Sequence, residues 1–196
     1  MFPCSPVMHS FGRLNSNTYD SGAASSILDY YPDKFKFTSF FNDAVGAAGV
    51  ISKAEFISYE DMVSLLEDRL IFSKRVDDMW TSRVGDLIGL NCDDAYSLLC
   101  QLIDSTSPDD LQMQRGEFNS ISGGKDTLTF SEYISSSDIK DMLVEDFVNV
   151  AELAEIWKFV SKTDSVNNSI EILLTGQLNK VLLLAMNKRM NSPNFQ

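Results

Sequence analysis

FNDAVGAAGVISKAEFIS, residues 41–58, aligns without gaps on FNSISGGKDTLTFSEYIS, residues 118–135, at an offset of 77. Six of the 18 positions are identical: Phe41, Asn42, Gly46, Glu55, Ile57 and Ser58 with their counterparts. Ile51 with Leu128, Ser52 with Thr129 and Phe56 with Tyr133 are conservative exchanges. The register persists outside the block. Asp61 meets Asp138, Leu66 meets Leu143, and Trp80 meets Trp157, the chain's 2 tryptophans. A period of this length marks a duplicated structural unit, two copies of about 77 residues, each read as four helices.

The helical reading rests on start signals and periodicity. Ser52-Lys-Ala-Glu55 and Thr129-Phe-Ser-Glu132 are capping boxes, in which side chains satisfy the orphaned amides of a helix start. Asn91-Cys-Asp-Asp94 and Ser107-Pro-Asp-Asp110 each offer a cap followed by acids, with Pro108 at the favoured first helical position. From Lys34 on, apolar positions recur at helical spacing, roughly eight helices result, and no alternating strand of useful length is present. The expected class is all-α, with an N-terminal arm over residues 1–33, rich in Ser, Asn and Gly and carrying at most a short helix near Ala23 to Tyr31. A first lobe then covers 34–106 and a second 107–196.

The chain has 196 residues with 28 Asp plus Glu against 16 Lys plus Arg, a formal charge of −12, and 44% hydrophobic content. That acidity disfavours nucleic-acid and anionic-membrane partners, which reward clustered Lys and Arg. Three cysteines, Cys4, Cys92 and Cys100, cannot all pair, and the last two sit eight apart in one expected helix, so reduced thiols are expected. The longest unbroken apolar run, Val181 to Met186, is far short of the ~20 residues that cross a bilayer. The opening residues lack the basic start and long apolar stretch of a secretory signal, and a lone Arg13 makes a poor mitochondrial presequence. The expected location is intracellular, cytoplasmic or cytoskeletal, with a mitochondrial alternative.

Each copy runs from a helix ending in Phe, through a Gly-bearing loop, an Ile or Leu and a Ser or Thr, to a Glu and an aromatic that open a new helix. That order resembles the EF-hand superfamily, in particular calmodulin and the myosin light chains. The resemblance implies paired helix–loop–helix units, a short β-bridge at the Ile or Leu, and a closing Glu as bidentate calcium ligand. In the 12-residue register, Ala44 to Glu55, Gly49 and Ile51 stand at their proper sixth and eighth places. The first, third and fifth ligand places hold Ala44, Gly46 and Ala48, which carry no side-chain oxygen. The second copy, Ile121 to Glu132, offers Ile121, Gly123 and Lys125, with Asp126 where the tight-turn glycine belongs.

A 14-residue register starting at Asn42 resembles the family's long pseudo-hand. It implies a weak calcium site on the carbonyls of Asn42, Val45, Ala47 and Val50 with the Glu55 carboxylate. The alternative, favoured by the ligand inventory, is that Glu55 and Glu132 only complete their capping boxes and no cofactor is bound. The partner hands are worn as well. Leu153 to Val160 resembles an entering helix, Thr163 to Ile170 a loop, and Leu178 to Leu182 part of an exiting helix, with Leu174 or Gln177 where a closing Glu would stand. In the first copy, Arg83 to Asp94 is shorter still, and Ile88 to Asp94 resembles the turn between hands.

Catalytic groups are sparse. The 1 histidine, His9, lies in the arm, no second histidine exists to activate Cys92 or Cys100, and no CxxC or Cys/His cluster suggests zinc. Ser122-Gly-Gly-Lys-Asp lacks the spacing and preceding strand of a phosphate loop. The acidic pairs Glu60-Asp61, Glu67-Asp68, Asp77-Asp78, Asp93-Asp94 and Asp109-Asp110 read as solvated helix faces and as a field for a basic partner. Met62, Met79, Met142, Met186 and both tryptophans are expected in the core.

The resemblance therefore implies a non-catalytic, calcium-independent adaptor or structural subunit that binds an amphipathic, basic helix of a larger protein, such as a motor neck or tail or an assembly subunit. A weak calcium sensor or buffer, and an unrelated helical scaffold subunit, are the alternatives. Cys4 is a candidate for acylation.

Overall fold

The computed structural model describes residues 32–45, 49–85 and 88–190. His9, Cys4 and the helix expected near Ala23 to Tyr31 lie outside them. The first half comprises α1 (Lys34–Val45), α2 (Lys53–Ile57), α3 (Glu60–Glu67), α4 (Ser73–Val84) and α5 (Cys92–Asp104). The second comprises α6 (Pro108–Ser122), β1 (Thr127–Leu128), α7 (Phe130–Ile134), α8 (Ser137–Val144), α9 (Val150–Ser161), β2 (Ile170–Glu171) and α10 (Ile172–Met190). The fold is mostly helical, and its strands are two residues long.

The caps read from sequence are formed. Ser52, Asn91, Ser107 and Thr129 each accept the N–H of the residue three further on, and Ser52, Ser107 and Thr129 complete capping boxes. Asp33 adds a cap at α1, its Oδ1 accepting from Phe35 N at 2.8 Å.

The duplication is visible in the backbone. α7, α8 and α9 start 77 residues after α2, α3 and α4, and end 77 residues after them. The turns joining those helices match too, with Arg69 at φ 54° and Asp146 at φ 58°, an unusual conformation for both side chains. Among the described residues each half contains five helices where four were expected, because the helix after each capping box breaks. Tyr59 and Ser136 are extended there, at ψ 136° and 153°, with no side-chain cap of their own. Hydroxyls compete for the last carbonyls at the break: Ser58 Oγ donates to Glu55 O at 2.7 Å and Ser136 Oγ to Tyr133 O at 2.8 Å.

Within each half, two loops meet. Ile51 pairs antiparallel with Leu90 through Ile51 N to Leu90 O at 2.8 Å and Leu90 N to Ile51 O at 3.1 Å. Gly89 permits this approach, since a Cβ there would lie 2.4 Å from Ile51 O. In the second half β1 pairs antiparallel with β2, in the register Leu128 with Ile170 and Thr127 with Glu171.

The tryptophans do the same packing job in both halves. Trp80 packs on Phe56 at 5.4 Å between ring centroids, and Trp157 on the equivalent Tyr133 at 5.8 Å. Met62 is fully buried, while Met79, Met142 and Met186 pack partly buried against the core. Each fully buried large apolar side chain contributes about 1.5–3 kcal/mol.

The halves are not separately cored. α10 packs against α6 and α9 of its own half and also against α3 and α5 of the first. Thr175, Gly176, Gln177 and Leu178 are all buried, and four consecutive residues sweep most of a helical revolution. Such a helix has little wet face and belongs in an interior. The buried apolar residues of both halves form one cluster.

Candidate functional site

The paired loops are where sequence places a cation site. Asn42 and Val45 fall in the last turn of α1, Ala47 lies outside the described residues, Val50 stands in the bend before the bridge, and Glu55 is in α2. The Glu55 carboxylate is turned to its helix start: Oε2 accepts from Ser52 N at 2.7 Å, and Glu55 N donates to Ser52 Oγ at 3.3 Å. Those bonds hold its carboxyl below the ordinary range.

In the second half, Glu132 Oε2 accepts from Thr129 N at 2.9 Å and Thr129 Oγ1 at 2.8 Å, while Oε1 is bonded by Lys125 Nζ. The Lys125 bond, followed by the Thr129 bonds, pulls the Glu132 carboxyl down to about 2. A hard divalent cation wants six to eight oxygens, several of them anionic. Among the described residues no group of three or more His, Cys, Asp or Glu side chains converges to hold a metal ion. The Glu55 and Glu132 carboxylates are both engaged in capping their own helices.

The final loop is held by its own polar residues. Thr163 Oγ1 donates to Ser165 O at 3.0 Å and accepts from Asn168 Nδ2 at 3.1 Å, and Trp157 Nε1 donates to Asn168 O at 3.0 Å. Ser122 to Asp126 follows the C-terminus of α6, with Gly123 left-handed at φ 66°. A phosphate would need the N-terminal end of a helix there, so the segment is a helix stop.

A second constellation, which sequence reasoning missed, joins the halves. Lys180 and Asp110 have fully buried side chains with Nζ 3.8 Å from Oδ2. Lys180 Nζ also donates to Ser105 O at 2.6 Å and Leu102 O at 3.1 Å, satisfying carbonyls at the end of α5. Gln177 Nε2 donates to Asp104 Oδ1 at 3.3 Å, and Thr106 Oγ1 to Leu173 O at 3.1 Å. The residues between α5 and α6 are thus tied to α10 from several directions. Burial pushes the Lys180 ammonium down to about 8, against the pull of Asp110. Asp110 Oδ1 and both polar atoms of the Gln114 amide have no hydrogen-bond partner among the described residues. A nucleophilic lysine must meet its substrate, and this one has no exposed surface. Its geometry holds the two halves together. The available signal was a lysine inside the apolar stretch Leu178 to Met186.

A third feature is a cleft of about 170 Å³ between the start of α1, α3 and α10, lined by Asp33, Lys36, Tyr59, Asp61 and Lys188 among others. Burial, with Glu60 second, raises the Asp61 carboxyl to about 6. Burial also lifts the Cys100 thiol to about 11, and Cys92 is buried, so both are poor nucleophiles. No helix among the described residues is long and apolar enough to cross a membrane.

No family model matches this chain, and no curated protein or solved structure matches it either.

Proposed function

We propose that the chain is a non-catalytic, calcium-independent adaptor of the calmodulin and light-chain kind, built from two fused pairs of degenerate EF-hand-like units. It binds an amphipathic, basic helix of a larger protein. One observation carries this reading: the loops pair through Ile51 with Leu90 and Leu128 with Ile170, while Glu55 and Glu132 serve as caps. The pairing that family members use is kept and the ion ligation is not. A lobe without differential ion binding has no switch, which suits a permanent subunit more than a sensor.

The basic character of the partner follows from charge. With −12 over 196 residues, and Asp77, Asp78, Asp93, Asp94 and Asp109 all exposed, the surface attracts cationic helices and repels acidic ones.

The test uses a labelled amphipathic helix of leucine and lysine, followed by fluorescence anisotropy with the whole chain in EDTA and in millimolar calcium. The expected result is saturable binding, equal in both buffers, weakened by salt and absent for a leucine–glutamate helix. Binding that requires calcium would establish the sensor reading instead. No saturable binding in either buffer would overturn the adaptor.

A further inference from the structure

The loop between α6 and α7 contains a feature its counterpart before α2 lacks. Counted in the 12-residue register that closes at Glu132, the fifth place belongs to Lys125, where a calcium loop has an oxygen ligand. A lysine at a ligand place supplies the charge of the ion in place of a donor to it.

The surrounding chain aims that charge. Gly123 and Gly124 take φ 66° and 81°, a pair of left-handed residues that turns the chain back as it leaves α6. Ser122, 1% exposed, donates its Oγ to Lys125 O at 3.1 Å and fixes the backbone from which the side chain departs. Lys125 Nζ then reaches Glu132 Oε1, while Thr129 occupies Oε2. Both carboxylate oxygens are therefore engaged, one by the cap and one by the ammonium. The residue at the same place in the first copy is Ala48, which has no charge to offer.

We infer that the Lys125 ammonium is the resident cation of this loop, a covalently tethered substitute that clamps Glu132 and holds the β1–β2 pairing without any bound metal. The inference rests on the adaptor reading and explains how one loop keeps its shape without an ion. A tethered ammonium faces its carboxylate at an effective concentration on the order of millimolar. It is never diluted away, so the loop has a single state at all calcium levels. A free divalent ion would have to displace it, and would find Ile121 and Gly123 at the first and third places, with no side-chain oxygen to offer.

The experiment measures amide hydrogen exchange by NMR at the amides that donate between β1 and β2 in the whole chain and three variants, Lys125→Met, Lys125→Gln and Lys125→Arg. Lys140→Met, an exposed lysine on α8, controls for net charge. The expected result is about two- to fivefold faster exchange at those amides in both neutral variants, the size an exposed ion pair supports. Lys125→Arg should restore the rates, Lys140→Met should leave them unchanged, and helix content should be the same throughout. Millimolar calcium should not slow exchange in Lys125→Met.

Wild-type rates in Lys125→Met and Lys125→Gln, or equal acceleration in Lys140→Met, would overturn the inference and leave the adaptor reading standing. Calcium-dependent protection in the wild-type chain would instead overturn the calcium independence on which both rest.

Discussion

Replacing two helical glycines by alanine separates ordinary helix propensity from the packing of α10. Alanine is favoured over glycine in a helix interior by about 1 kcal/mol. Gly116 on α6 is exposed, and a Cβ there would meet nothing within 4 Å, so Gly116→Ala should stabilise the chain by about that amount. Gly176 on α10 is different. A Cβ would lie 2.4 Å from Gln114 Oε1, 2.9 Å from Thr106 Oγ1 and 3.0 Å from Thr106 Cγ2.

Gln114 is 5% exposed, and Thr106 is tied to Leu173 O at 3.1 Å, so neither neighbour retreats freely. Forcing a methyl into such a contact costs about 1–3 kcal/mol, which outweighs the propensity gain. Both alanines carry the propensity gain, so the two variants should differ by the packing cost alone, about 1–3 kcal/mol, with Gly176→Ala the less stable. Urea unfolding followed by circular dichroism measures both, through the midpoint at constant slope. Equal stabilisation by the two alanines would refute the close approach of α10 to the residues joining the halves.

Lys180→Met should cost about 3–5 kcal/mol, because it leaves Asp110 buried without its cation and uncaps Leu102 and Ser105. Adding Asp110→Asn should recover part of that loss, and a double-mutant cycle in urea that shows simple additivity would contradict the pairing. Asp61 titrates near 6 in the folded chain against 3.8 ordinarily, so the native state binds more protons and stability falls as pH rises from about 4 to 6. The groups facing Asp61 in the cleft are Asp33 and Lys36 near the start of α1, Tyr59 and Glu60 at α3, and Lys188 on α10. Asp61→Asn removes the penalty and should stabilise by about 1–3 kcal/mol at pH 7.5, with the gain closing at pH 4. A gain independent of pH would show that the carboxylate charge is not its source.

Much of this fold was legible because its information is local. Ser52 with Glu55, Thr129 with Glu132 and Ser107 with Asp110 announce helix starts within four residues, and the paired tryptophans at one offset announce the duplication. The break after each short helix was missed because Tyr59 and Ser136 are ordinary in propensity. At the breaks Tyr59 is buried, and the Ser58 and Ser136 hydroxyls bond the carbonyls of the preceding turn. The Lys180 constellation was illegible for another reason. Its partners, Leu102, Ser105 and Asp110, lie 70 to 78 positions earlier in the chain, and no periodicity encodes which distant carbonyls a lysine will find. Lys125 was seen only as the wrong residue at a ligand place, and its bond to Glu132 depends on two left-handed glycines.

The position of α10 bears on how the chain is made. α10 covers α3 and α5, and Asn187 Nδ2 reaches Ser64 Oγ at 2.9 Å across 123 positions. During synthesis the first half emerges before α10, residues 172–190, is available to pack on that face. Contacts so distant in sequence slow the search for the native state and delay its completion until translation has passed them. A nascent chain stalled before α10 would be sticky and easily digested, and the finished chain should melt in one cooperative step.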